Sequence, residues 1–416
     1  MTAGRGGRFS AALAFLLPGL LVACGGGGSV AVPAATPGMI AAATSTPSPN
    51  PSATFTPLPS PQGAASSVAS FTLSGGEQSV LPAGAVASQF VPDEQMPYLR
   101  QPNGTFKLWA SAGGTYGTYL FATPDLLSLG APATVFLPAG AGTAAFDADY
   151  AGPGSVFPAS NGTDLLMIYH AENHLFGGID YPASPFYAGL GLARSSDGVL
   201  TWQRQGEIIS GHDPQLATQP PSGAGALTPS AIEIGGYIYV CFREIDLQTG
   251  VTGYALARAP LSSDGTPGSW QKYYQGTFSA PGLGGAFTPL NIVLDPTVPG
   301  DQRQPNISFN TYLNAFVMIT IGNGGMYALT SPDLINWSAA SVVFAAPAPD
   351  AAAGTTNGPR NWYPTLISPD QPSDAITDRS GFLYYAKFLG DGTSHHYMYR
   401  QAFTIASSAS QSKQRK

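Results

Sequence analysis

Residues 330–337 read Thr-Ser-Pro-Asp-Leu-Ile-Asn-Trp (TSPDLINW), and the fold follows from finding that this stretch is one of a set. Ala122-Thr123-Pro124-Asp125-Leu126, Arg194-Ser195-Ser196-Asp197-Gly198 with Trp202 after it, and Leu261-Ser262-Ser263-Asp264-Gly265 with Trp270 after it share its plan. The aspartates stand at 125, 197, 264 and 333, at intervals of 72, 67 and 69 residues. Spacing this even marks an internal repeat. An Asp beside a Trp invites reading as a site, but recurrence assigns Asp333 to capping turn amides and Trp337 to packing between units.

Upstream of these turns a second pattern recurs, a Pro-bearing lead-in strand, a turn, and a strand rich in Tyr, Ile and Val. The lead-ins are MPYLR (96–100), AGPGSVFPAS (151–160), LTPSAIEI (227–234), RQPNISFN (303–310) and NWYPTLIS (361–368). The second strands are TFKLWAS (105–111), DLLMIYH (164–170), YIYVCFR (237–243), AFVMITI (315–321) and FLYYAKF (382–388). Almost no segment keeps a helical period over ten or more residues. Units of four antiparallel strands that cannot bury both faces alone stack radially, so the sequence predicts an all-β, five-bladed β-propeller over 70–407 rather than a sandwich or jelly roll. The last unit ends near Tyr397–Ile405 without its own Asp turn, and Ser70-Phe71-Thr72-Leu73 is expected to complete that blade.

Composition agrees with an exported, turn-rich protein. Of 416 residues, 44% are hydrophobic but only 10% are charged, with 51 Gly and 38 Pro; roughly 25% charged is ordinary. The net charge of −7 comes without any basic patch interleaved with aromatics, which excludes nucleic acid as an expected partner.

The first residues have the parts of an export signal: Arg5 and Arg8, an apolar run from Ala11, then small residues. Leu21-Val22-Ala23-Cys24 resembles the bacterial lipobox, which implies cleavage after residue 23 and lipidation of Cys24. From 24 to 69 the chain is rich in Gly, Ser, Thr and Pro, which predicts a disordered tether too poor in apolar surface to fold; 408–416 is expected to be a disordered tail. The expected location is the cell envelope, at the outer membrane or cell surface, with the membrane touched only through the lipid, and the expected state is a monomer. Lipidation leaves Cys241, in the apolar run YIYVCF, as a buried inert thiol.

In a four-stranded blade the inner strand starts at one rim and the second strand returns to it. Residues before each inner strand and at the end of each second strand therefore share one end of the central channel. The lead-ins bring Asp93, Glu94, Asp147, Asp149, His212, Asp213, Arg303, Gln304, Arg360, Asn361, Trp362 and Tyr363; the second strands bring His170, Glu172, His174, Arg243, Glu244, Asp246, Asn323 and Lys387. Tyr150, Phe186 and Tyr187 add aromatic faces on which a sugar could stack. His170 and His174 flank Glu172, but three metal ligands from that run would require a helix or loop, so no metal site is expected.

On Val91-Pro92-Asp93-Glu94, on Ser331, Asp333, Leu334 and Trp337, and on the Asp-box-like 195–202, residues 85–405 resemble the five-bladed propeller glycosidases of glycoside hydrolase families 43, 32 and 68. The resemblance implies a carboxylate general acid/base site acting on an extracellular glycan. It implies Asp93 as base or nucleophile and Asp149 as the second-blade carboxylate that tunes the acid. Where those families carry a Glu before the third inner strand, this chain has Gly225-Ala226-Leu227-Thr228-Pro229; the acid then falls to Glu172 or Glu244. His170, Arg243, Arg303, Arg360, Asn361, Trp362 and Tyr363 are the expected substrate-binding residues. A structural Ca²⁺ in the channel is compatible with the resemblance, but no ligand set identifies it, and no cofactor is expected. The alternative function is a propeller that binds a glycan or protein without turning it over. For Glu172 the alternative is a blade-holding ion pair with Arg194 or Arg243.

Overall fold

Each repeat folds as an antiparallel unit, and hydrogen bonding joins the units into four sheets, the second and third sharing one nine-stranded sheet through a short parallel pairing of residues 187–188 with 224–225. The structure, a computed structural model, describes residues 68–81, 85–86, 90–112, 116–140, 143–174, 186–212, 223–295, 303–322, 325–345, 361–388 and 395–407. Cys24, the tether up to residue 67, Asp213, Asn323, Arg360 and the basic tail lie outside the described residues.

Strand β1 (Val68–Leu81) comes first and joins the last blade. Blade one is β2 (Tyr98–Arg100), β3 (Phe106–Ala112), β4 (Gly117–Thr123) and β5 (Ala133–Phe136). Blade two is β6 (Tyr150–Pro158), β7 (Leu165–Asn173), β8 (Tyr187–Ser195) and β9 (Gln203–Ser210). Blade three runs from β10 (Ala224–Ile234) through β11 (Tyr237–Ile245), β12 (Thr252–Pro260) and β13 (Gln271–Tyr274) to an added outer strand, β14 (Thr277–Pro281). Blade four is β15 (Arg303–Asn310), β16 (Ala315–Gly322), β17 (Gly325–Ser331) and β18 (Ser341–Ala345). Blade five begins with β19 (Asn361–Ile367), detours through the short β20 (Ile376–Thr377), and continues with β21 (Ser380–Phe388) and β22 (His396–Ser407). Its fourth strand is β1, antiparallel to β22 with Phe71 opposite Ile405. The expected closure of the last blade by residues 70–73 is what the pairing shows.

Among the described residues five apolar clusters lie at the junctions between units, as a closed ring of five blades would have them. An open row of five blades would have four. The fifth junction packs Tyr98 and Leu108 of blade one against Ile367 and Tyr384 of blade five. Side chains such as Leu329 between blades three and four are fully buried, and each contributes about 1.5–3 kcal/mol. The architecture is a β-propeller.

Proline shapes the inner strands. Thr228, Gln304 and Tyr363 each precede a proline and hold φ of 50°, 51° and 53°, and the ladder slips at each place. Proline has no N–H to give the ladder, so a bulge forms and the preceding side chain is re-aimed. Just past the bulge, a polar side chain sews each inner strand to the next. Ser155 Oγ accepts from the N–H of Ala231 (2.8 Å), Ser230 Oγ from Ile307 (2.9 Å), Asn306 Oδ1 from Leu366 (3.2 Å), and Thr365 Oγ1 from Met96 (3.1 Å). Main-chain donors that no sheet could pair are thereby satisfied.

The Asp turns join third and fourth strands, at the channel end opposite the lead-ins. Asp333 Oδ1 accepts from the N–H groups of Ile335 (3.0 Å) and Asn336 (2.7 Å), and Trp337 Nε1 donates to Leu334 O (2.9 Å). Asp125 and Asp197 cap their turns in the same way. Asp264 departs from the pattern: it accepts from Ser160 N (2.7 Å) and Arg194 Nη1 (3.0 Å), tying blade three to blade two.

At that same end the 368–379 connection crosses the channel. Arg100 N donates to Pro372 O (2.8 Å), Tyr98 N to Asp374 Oδ1 (3.1 Å), and Phe309 N to Ala375 O (2.9 Å). The strap ties blade five to blades one and four, and the sequence pattern gave no sign of it.

Candidate active site

Asp93 and Glu94 occupy a bend before β2, so they are free of strand alternation and both reach inward. Tyr150 on β6 holds this bend: its phenol donates to Asp93 O (2.6 Å) and lies 2.8 Å from Ser111 Oγ. Tyr150, read from the sequence as a sugar platform, is buried and acts as a buttress. Tyr363, re-aimed by its bulge, donates from its phenol to Asp93 Oδ1 (3.1 Å), while its own N–H donates to Gln304 Oε1 (2.8 Å). His396 Nε2 lies 3.9 Å from Asp93 Oδ1, and the Asp93 side chain remains 27% exposed.

Strand β7 supplies the second wall. Residues 170, 172 and 174 share a face because strand side chains alternate, and here they touch. Glu172 Oε1 is 3.5 Å from His170 Nε2, and Oε2 is 2.8 Å from His174 Nε2. β7 carries His170 and Glu172, and His174, just beyond its last residue, completes the row. Among the described residues no group of three His, Cys, Asp or Glu has an arrangement able to hold a metal. Glu94 Oε1 makes a short contact with His170 Nδ1 from the neighbouring blade. Glu172 is not paired with Arg194, which instead binds Asp164 (2.7 Å) and Asp264 (3.0 Å).

Asp149 works on the main chain. Its Oδ2 accepts from the N–H of His174 (2.7 Å), and its own N–H donates to Glu172 O (3.0 Å). The end of β7 is therefore clamped on both sides of Glu172.

The electrostatics are unusual. Burial, then the negative charges of Glu172 and Glu94, push the Asp93 carboxyl up to about 8, against the Tyr363 hydrogen bond and His170. Burial also raises Glu94, with His170 opposing. Burial disfavours charge on His170, but Glu94, Glu172 and Asp93 outweigh it and its pKa rises. Two carboxyls and an imidazole thus hold protons above their ordinary ranges in one spot, which is how acid–base sites are set.

Glu244, expected as an alternative acid, is spent elsewhere. Lys272 Nζ donates to both its oxygens (2.8 and 2.7 Å), to Ser210 O (2.8 Å) and to Gly285 O (2.9 Å), and both side chains are 0% exposed. His212 N also donates to Glu244 (2.9 Å). A carboxylate so enclosed has no path to a substrate. Arg243 faces Leu227 across the β10–β11 ladder, and Arg303 begins β15. Asn361 and Trp362 are half-buried at the start of β19, Trp362 packing on Phe388 (5.3 Å). Phe186 lies on the His174 ring (4.9 Å). Cys241 is a buried free thiol whose pKa burial raises.

Of the expected site residues, the structure joins Asp93, His170, Glu172 and Tyr363, with Asp149 behind them. Glu94 and His174, brought to this end by the strand rule but given no role, belong with them, and His396 was missed. The hairpin return would have found His396, since β22 starts where β21 ends, with His396 opposite Phe388.

Solved structures share this architecture. A Bifidobacterium bifidum protein assigned as an exo-β-1,3-galactanase is 12% identical, with 80% of this chain and 94% of that one covered and a TM-score of 0.50. The catalytic domain of a family 62 α-L-arabinofuranosidase from Coprinopsis cinerea is 11% identical over 82% and 98% of the two chains, with a TM-score of 0.48. A family 117 glycoside hydrolase from Zobellia galactanivorans is 13% identical over 82% and 90%, with a TM-score of 0.48. No family model and no curated protein sequence matches the chain. The structural neighbours are propeller glycoside hydrolases, and at such low identity the likeness is one of fold.

Proposed function

We propose that the lead-in end of the channel is a glycan-hydrolysing site built on Asp93 and Glu172. The observation that carries this reading is the grouping at one end of the channel of Asp93, hydrogen-bonded by Tyr363, and Glu172, held by His174 and by the Asp149 clamp, with burial and the charges of Glu172 and Glu94 pushing Asp93 up to about 8. At neutral pH it holds a proton it can give to a glycosidic oxygen. Glu172, facing it from β7, serves as base or nucleophile. These roles exchange those that the family resemblance implies, and the raised Asp93 carboxyl supports the exchange. Asp149 fixes Glu172 through the main chain, and Trp362 offers a half-exposed ring for a sugar face. The galactanase assignment of the Bifidobacterium protein makes extracellular galactans the first substrates to try.

The test is release of reducing sugar from a panel of plant and microbial glycans, comparing wild type with Asp93→Asn and Glu172→Gln of unchanged circular dichroism. Release abolished in both variants supports the reading. Absence of release from every glycan, with retained binding, would sink it in favour of the second reading, a non-catalytic glycan-binding propeller. The observation favouring that reading is the locked Glu244–Lys272 pair, which takes up the carboxylate that β11 brings to this end.

Cys24 and the Pro- and Ser-rich segment after it support anchorage of the propeller to the outside of the cell envelope. Partitioning of wild type, but not Cys24→Ser, into a detergent phase is the expected result.

A further inference from the structure

Glu94 is 1% exposed and His170 3%. A buried carboxylate must be paired, and Glu94 meets His170 Nδ1. That contact leaves one outlet for the imidazole. Its Nε2 is buried, forms no hydrogen bond, and points to Glu172 Oε1 at 3.5 Å. A contact slightly too long before substrate arrives is common in active sites and tightens in the reacting complex.

We propose that Glu94 and His170 form a positioning dyad for Glu172, Glu94 turning the imidazole so that its Nε2 and the Nε2 of His174 hold the Glu172 carboxylate between them. The proposal deepens the reading of Glu172 as a reacting carboxylate and rests on it for function, though not for geometry. Neither Glu94 nor His170 needs to touch substrate.

The fold is specific in allowing this. Alternation on β7 sets His170 and Glu172 on one face, His174 follows the end of the strand, and the Asp149 clamp fixes its position. Glu94 reaches the row from blade one only because residue 152 is glycine. A Cβ there would stand 2.6 Å from the Tyr150 ring and 2.9 Å from Glu94 Cγ. The titratable groups facing His170 are Glu94 and Asp93 from the lead-in, Tyr150 on β6, whose ring lies 5.5 Å away, and Glu172 on its own strand, with His174 beyond. The charges of Glu94 and Glu172 favour the doubly protonated imidazole, which gives Nε2 a proton to direct at Glu172.

The test has two arms on the full chain. In long-range proton–nitrogen spectra, the His170 ring is expected to titrate above the usual imidazole range of about 6.5, and at least about one pH unit lower in Glu94→Gln. An unmoved midpoint overturns the dyad. On a glycan that is turned over, Glu94→Gln and His170→Gln are each expected to lower kcat by about a hundredfold with KM nearly unchanged. Glu94→Asp should recover part of the loss, and the double variant should be no worse than the poorer single one. Multiplying losses in the double variant overturn the proposal. If no glycan is turned over, the hydrolase reading fails while the spectral arm still decides the dyad; should Glu94→Gln not fold, Glu94→Asp takes its place there.

Discussion

The Tyr363 phenol donates to Asp93 Oδ1 at 3.1 Å, joining the last blade to the first across a sequence separation of 270 residues. This hydrogen bond favours the ionised carboxylate and restrains a pKa that burial drives up to about 8. Tyr363→Phe is therefore expected to push Asp93 higher still. Carbon-13 titration of the carboxyl, or the basic limb of a pH–rate profile, should move to higher pH; a shift to lower pH would contradict the assignment.

Stability should fall as pH rises. Asp93 binds its proton up to about 8 in the folded protein, against an ordinary 3.8, so its contribution is fully present below 3.8 and lost as pH rises through 8. Asp374 and Glu233, both pushed up to about 7 by burial, act with the same sign. Asp125, held at about 2 by the Ser128 and Leu127 N–H groups, acts oppositely, its contribution being lost only in acid. The melting temperature of wild type should decline from pH 5 to 8.5. In Asp93→Asn the decline should be shallower, and a slope identical to wild type would show that Asp93 releases its proton normally.

The Lys272–Glu244 pair separates the worth of a buried ion pair from the penalty of breaking it. Lys272→Met leaves Glu244 buried without its counter-charge and is expected to cost about 3–5 kcal/mol in urea unfolding. Lys272→Met with Glu244→Leu should regain most of that loss. A single variant as stable as wild type would mean that Glu244 reaches water.

Asp333 tests the separation of scaffold from site. Asp333→Ala removes the acceptor of two turn N–H groups and is expected to destabilise by about 1 kcal/mol. Turnover or glycan binding per folded molecule should not change. A selective loss of activity would place the turn in the site after all.

The propeller was legible because its determinants are local and repeated. Three of the four Asp turns cap themselves within four residues, and each lead-in carries its proline. The site was legible only as far as it follows strand direction. That rule brought Asp93, Glu172 and His170 to one end, yet it also brought Glu244, whose partner Lys272 lies 28 residues away on an outer strand. Nothing in Gln271-Lys272-Tyr273-Tyr274 marks that lysine as buried. Glu94 came to the same end beside Asp93 but was given no role; the bend at 93–94 is what lets the neighbouring carboxylates face the same space. The strap at 368–379 depends on contacts with blades one and four that no local pattern encodes.

The pairing of β1 with β22 sets the order in which the molecule can be completed. Residues 68–81 are made first, yet their hydrogen-bonding partner is residues 398–407, the end of the described chain. Until those residues emerge from the ribosome, Phe71, Val80 and Leu81, all buried in the finished ring, have no blade to enter. Closing a loop of this length is slow, and the waiting edge is open to pairing with other chains. Blades two to four can assemble during synthesis, but the ring locks only when the two ends of the propeller meet.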